Sequence, residues 1–146
     1  LILMMENGRI LIWFVIMGAF ACDTMAYLIG CKFGKRKLCP DVSPKKTIEG
    51  SIAGIIGVII AYIIIYAIST YGFRIQLNIW LIMLMAIVSG VNGQFGDLAA
   101  SAIKRFCKIK DFGTIMPGHG GILDRCDSIM FVAPLVYIIL KVYMFM

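Results

Sequence analysis

The segment from Ser51 to Tyr71 constrains the fold more than any other, because its 21 residues carry no charged side chain. Roughly 20 apolar residues in an α-helix cross the hydrocarbon core of a bilayer. Inside that core only a helix or a closed barrel satisfies every backbone N–H and C=O. Three other stretches have the same character. Ile10 to Ile29 is apolar apart from Asp23 and Thr24; Leu77 to Ser89 opens a third run, and Ser128 to Val142 closes the chain. Hydrophobic residues make up 61% of the sequence and charged ones 15%, well beyond a soluble domain, which is about half apolar. The expected fold is therefore all-α: a polytopic transmembrane helical bundle with about four spanning helices. Its 146 residues leave room for one domain, residues 1–146. The chain begins at Leu1, so the expectation is a C-terminal part whose N-terminal helices are missing.

Charge is concentrated rather than spread over a face. Of the 14 lysines and arginines, six lie between residues 32 and 46 and five between residues 104 and 125. Such blocks mark cytoplasmic loops of membrane proteins, so both basic loops are expected on the cytoplasmic side and nucleic acid is not expected as a partner. The five cysteines form no CxxC pair; four sit in or beside those loops, where disulfides rarely persist, and all are read as free thiols.

Several polar groups interrupt the apolar runs. Asp23 lies within the first span, and carboxylates at that depth face a protein interior or a wet cavity. Gly30 to Gly50 reads as a basic loop broken by glycine and proline, with Ser43, Lys46 and Thr47 offering hydroxyl and ammonium groups suited to phosphate oxygens. Gly50, Gly54 and Gly57 fall on or near one face of the second span, allowing a neighbouring helix to approach closely. Tyr71 to Arg74 is expected to form a short turn, with Tyr71 and Trp80 as interfacial anchors. The third run turns glycine-rich and polar from Ser89 to Asp97. Such groups are tolerated at that depth only where they line an enclosed or hydrated cavity. Beyond it, Asp97, Ser101, Lys104 and Arg105 are spaced to share neighbouring parts of a helix surface.

The densest constellation is Ser101 to Asp127. It holds Lys104, Arg105, Lys108, Lys110, Arg125, the only histidine (His119), and three aspartates around a Pro-Gly-His-Gly-Gly turn. Asp124 and Asp127 would stand at the start of the last helix, where the dipole favours negative charge and an aspartate also serves as a cap. Carboxylates hold hard divalent cations such as magnesium, with phosphates completing the shell, while lysine and arginine neutralise the remaining phosphate charge. Gly120 and Gly121 let backbone approach an anion, and His119 could donate to a phosphate or carry a proton. Composition and spacing thus indicate a metal-dependent enzyme acting on a phosphate substrate at a membrane. A transporter lined by Asp23 and Asp97 is the rival class.

Ser101-x-Ile103-Lys104-Arg105, Lys110-Asp111, Pro117-Gly118-His119-Gly120-Gly121 and Asp124-Arg125-x-Asp127 together resemble, without a gap, the signature of phosphatidate cytidylyltransferases. Gly96-Asp97, Ser43-Pro44-x-Lys46-Thr47-x-Glu49-Gly50, Asp23-x-x-Ala26-Tyr27 and Gly34-Lys35 extend the resemblance over nearly the whole chain, as the C-terminal half of the usual protein. Lys45 departs from an expected glycine; Met116 and Cys126 stand where other apolar residues are usual. The resemblance implies that CTP and phosphatidate react to CDP-diacylglycerol and pyrophosphate with Mg2+, and room for a second cation. It implies Asp97 and Asp124 as metal ligands, with Asp127 assisting. Lys104, Arg105, Lys110, His119 and Arg125 would steady the triphosphate. Asp23, Ser43, Lys46 and Thr47 would form the nucleotide or headgroup side, with Ser101, Gly120 and Gly121 also binding substrate. A membrane lipid partner and a homodimer complete what it implies. Another lipid phosphate as acceptor stays open.

Overall fold

The computed structural model describes residues 2–40, 42–73, 78–109 and 123–145. Four helices carry the fold: α1 (Ile2–Phe33), α2 (Ile48–Phe73), α3 (Ile79–Phe106) and α4 (Leu123–Phe145). Among the described residues three segments are long and apolar enough to cross a membrane, namely Ile12–Phe33, Ile48–Gly72 and Ile79–Phe106. This is the expected all-α transmembrane bundle. Its outward residues are apolar as well: Ile52, Ile56, Ile60, Ile64 and Ile68 of α2 are all exposed, as a lipid-facing stripe requires.

Two expectations need correction. The basic stretch from Gly30 to Gly50 is not a plain loop. Helix α1 runs on to Phe33, and Lys37–Cys39 (β1) pairs antiparallel with Ser43–Thr47 (β2) in a small hairpin. Lys37 faces Thr47 and Cys39 faces Ser43, with a register shift between the two pairs. Nor do Tyr71 to Phe73 turn; they finish α2, because the helix gains a backbone hydrogen bond for each residue it adds. The third run keeps its helix through the glycine-rich stretch, and α3 is continuous for 28 residues.

The reason for that continuity is packing. A side chain at Gly96 would place its Cβ 2.8 Å from the Phe131 ring and 3.0 Å from the Asp127 carbonyl oxygen. The glycine therefore brings α3 and α4 into backbone contact. The expected close approach at the start of α2 is also present. A Cβ on Gly50 would lie 2.6 Å from the Ala26 carbonyl oxygen and 3.1 Å from the Gly30 Cα. With no hydrophobic drive between helices in lipid, such close backbone packing is a main source of cohesion.

The core lies between all four helices and is built around Phe14, Tyr62, Ile82, Met85, Val132 and Val136. Phe14 and Tyr62 meet edge to face at 4.9 Å, and the Tyr62 hydroxyl donates to Ser89 Oγ at 3.0 Å. At the start of α3, Asn78 Oδ1 accepts from the Trp80 N–H at 3.0 Å. At its end, Lys108 takes a left-handed conformation (φ 56°), with Lys108 N–H donating to Arg105 O and Ile109 N–H to Lys104 O. These two bonds satisfy carbonyls that a helix end otherwise leaves open.

Candidate active site

The hairpin is fixed to the bundle by interactions that its sequence makes necessary. Thr47 precedes α2, and its Oγ1 accepts from the Gly50 N–H at 3.2 Å, which caps the helix. Glu49, in the first turn, accepts from the backbone N–H groups of Lys35 (3.2 Å) and Arg36 (3.3 Å). The Ile48 N–H donates to Arg36 O at 3.0 Å. From the other side, Arg105 Nε donates to Val42 O at 3.3 Å. The two basic segments thus meet at one end of the bundle through their described residues.

Beneath the hairpin lies a cavity of about 200 Å³. Its walls are Cys22, Asp23, Ala26 and Tyr27 of α1, Leu38 of β1, Lys46 and Thr47 of β2, Gly50 and Ser51 of α2, and Gln94 and Asp97 of α3. Lys46 Nζ forms an ion pair with Asp97 Oδ2, with both side chains about one-quarter exposed. Asp23, Asp97 and Asp127 are near enough to interact electrostatically, so carboxylates from α1, α3 and α4 converge here. Asp127 is buried, and its Oδ1 accepts from the Ser128 N–H at 2.7 Å. Lys46 and Lys104 both act on it as opposing charges.

Asp23, Lys46, Thr47 and Asp97 line one space, although the Thr47 hydroxyl also serves the helix cap. Ser43 pairs with Cys39 in the hairpin, and Ser101 lies one turn beyond Asp97; neither lines the cavity. Arg105 is exposed and holds the hairpin. The α4 backbone places Asp124, Arg125 and Asp127 in its opening turns; the side chains of Asp124 and Arg125, and all of Lys110, His119, Gly120 and Gly121, lie outside the described residues. Of the thiols, Cys22, Cys31, Cys39 and Cys107 are free.

Sequence reading did not single out Gln94, Ser51 or Cys22, which form the inner wall. Gln94 Nε2 donates to Ser51 O at 2.8 Å and to Cys22 Sγ at 3.7 Å, and its Oε1 pairs with the Ser51 hydroxyl. The available signal was a glutamine within a membrane span, which requires partners. Among the described residues no three histidines, cysteines or carboxylates are grouped tightly enough to enclose a metal. The oxygen-only acidic donors at this end do match the preference of a hard cation.

A small cavity lined by Asp23, Lys46 and Asp97 under a basic hairpin, at one end of an all-α transmembrane bundle, defines a membrane-embedded protein with a charged site at that end of its helices. Residues 1–143 match the cytidylyltransferase family model, and the chain belongs to that family. It is similar to the phosphatidate cytidylyltransferase of Staphylococcus haemolyticus, 46% identical over 135 residues, which cover 92% of this chain and 50% of that protein. The phosphatidate cytidylyltransferase of Staphylococcus aureus (strain COL) is 46% identical over 118 residues, covering 81% of this chain and 44% of that protein. The chain spans about half the length of the curated relatives it matches.

Proposed function

We propose that this protein is a phosphatidate cytidylyltransferase, converting CTP and phosphatidate to CDP-diacylglycerol and pyrophosphate. The observation that carries the reading is the Lys46–Asp97 ion pair inside a cavity that Asp23 also lines. Carboxylates that can hold a divalent cation, beside an ammonium and among lipid-facing helices, suit a phosphate substrate whose other half is hydrocarbon. The names of the similar staphylococcal proteins support the same activity.

In the proposed reaction a phosphate oxygen of phosphatidate forms a bond to the α-phosphorus of CTP. The bond between that phosphorus and the oxygen bridging to the β-phosphate breaks, and pyrophosphate leaves with the electron pair. Such transfers need positioning and charge stabilisation more than covalent help from the protein. Lys46 turns from Asp97 to a phosphate oxygen as substrate enters, since an ammonium is a strong donor to phosphate. Lys104 and Arg105 add positive charge at the same end of α3. By resemblance, Lys110, His119 and Arg125 join them on the triphosphate, with Ser101, Gly120 and Gly121 beside it. Asp97 and Asp124, assisted by Asp127, are the residues that would hold Mg2+. When bound, that ion neutralises phosphate charge and aligns the reacting groups. The basic hairpin end faces the cytoplasm by the positive-inside rule, and acyl chains remain in the bilayer throughout.

The test uses purified protein in detergent with phosphatidate, magnesium and CTP labelled at the α-phosphorus. Label should pass into organic-extractable lipid and be lost with EDTA. Folded protein that transfers no label to phosphatidate, while labelling a different lipid phosphate, would replace the acceptor. Transfer to neither would end the enzyme reading.

A further inference from the structure

We infer that Gln94 is a positioning residue for this reaction, clamping α1, α2 and α3 in the register that brings Asp23, Lys46 and Asp97 to one cavity. The inference rests on the cytidylyltransfer reading and concerns residues to which that reading gives no role.

Three helices each contribute one partner. Gln94 of α3 reaches Ser51 of α2 through both the carbonyl, at 2.8 Å, and the hydroxyl, and reaches Cys22 of α1 at 3.7 Å. Cys22, only 2% exposed, donates in turn to Gly90 O on α3 at 3.8 Å. Access to this arrangement is kept open by Gly54, where a Cβ would stand 3.1 Å from Gln94 Nε2 and 3.1 Å from the Cys22 carbonyl oxygen. Each clamp residue is a short step from a charged one. Gln94 is one helical turn before Asp97, Cys22 adjoins Asp23, and Ser51 follows the Lys46–Thr47 end of the hairpin by one turn.

The same bonds argue that Gln94 does not bind substrate directly. A glutamine side chain has two N–H donors and one carbonyl oxygen. Both donors and one lone pair are engaged within the protein. What Gln94 governs is the separation of the three helices at the depth of the charged groups. A displacement of about 1 Å between reacting groups costs on the order of 100-fold in rate.

Wild type, Gln94→Met, Gln94→Glu and Ser51→Ala are compared by steady-state kinetics with CTP and phosphatidate and by thermal unfolding. Gln94→Met should lower kcat by about 10- to 100-fold with KM for CTP held within about threefold. Gln94→Glu should lower kcat further, although its shape is closest, because a carboxylate faces the Ser51 carbonyl where a donor stood. Simple space-filling predicts the opposite order. Ser51→Ala should show the same split on a smaller scale, and it decides the matter if neither Gln94 variant folds. Wild-type kcat in Gln94→Glu, or in Ser51→Ala when it alone folds, overturns the positioning role. Absence of transfer by the wild type instead removes the reading beneath it, so the two failures are distinct.

Discussion

The two ends of the bundle are held together by different means. Toward the hairpin, α1, α2 and α3 are joined by side-chain hydrogen bonds and an ion pair around a cavity, through Gln94, Ser51, Cys22, Lys46 and Asp97. Deeper in, apart from the Tyr62–Ser89 bond, the contacts are apolar: Phe14 against Tyr62, and Met85, Val132 and Val136 packed around them, with Gly57 permitting α1 to approach α2. Directional bonds define separations closely, whereas apolar packing supplies cohesion over a broad surface. The protein places its charged groups where the directional bonds are. Substitutions at the hairpin end should therefore change turnover at nearly constant stability, and those in the packed region should do the reverse.

The largest effect is expected from Asp124→Asn. Turnover should fall by at least about 10²- to 10³-fold, the scale for losing one transition-state stabiliser, with the thermal midpoint unchanged; turnover near wild type would remove Asp124 from the metal-binding set. Next is Gly57→Val in the packed region. A Cβ there already lies 2.8 Å from Met25 Cβ and 3.0 Å from the Ala21 carbonyl oxygen, and overpacking of this kind costs about 1–3 kcal/mol. Unfolding in detergent should register that loss while the folded fraction keeps its KM for CTP; a selective loss of CTP affinity would blur the division. Lys46→Met sharpens it from the other side. Without the competing ammonium on Asp97, Mn2+ alone should bind about tenfold tighter by water-proton relaxation, whereas KM for CTP should rise by about tenfold. Weaker Mn2+ binding would show that Lys46 does not compete at Asp97. Smallest is Tyr62→Phe, which loses the bond to Ser89 and should cost about 0.6 kcal/mol, the average for hydrogen bonds between membrane helices, with no change in turnover.

Much of this division was legible in the residues themselves. Apolar runs located the helices, and the Gly50, Gly54 and Gly57 spacing marked the close α1–α2 approach. Asp23 and Asp97 stood out as carboxylates in apolar surroundings, and both line the cavity. The hairpin was hidden because its strands are three and five residues long and depend on contacts from elsewhere: Glu49 to the backbone of Lys35 and Arg36, and Arg105 to Val42. Ser89 to Asp97 stood out as glycine-rich and polar, a composition that weakens an isolated helix. In the bundle, Gly90, Gly93 and Gly96 receive side chains of α2 and α4. Gln94 carried no motif, since its importance depends on residues 43 and 72 positions away.

The contact between Gly30 and Gly50 has a mechanical consequence. With no side chain interposed, the two backbones meet almost at a point, and this point lies near one extremity of α1. About 28 residues, or roughly 42 Å of helix at 1.5 Å per residue, extend from it in the other direction. A helix this long answers a thicker or thinner bilayer by tilting. Pivoting at the glycine crossing, α1 would carry Asp23, two turns from the fulcrum, through only about one-quarter of the sweep of its far end. The lever is long on the side that must follow the membrane and short on the side that carries the charge.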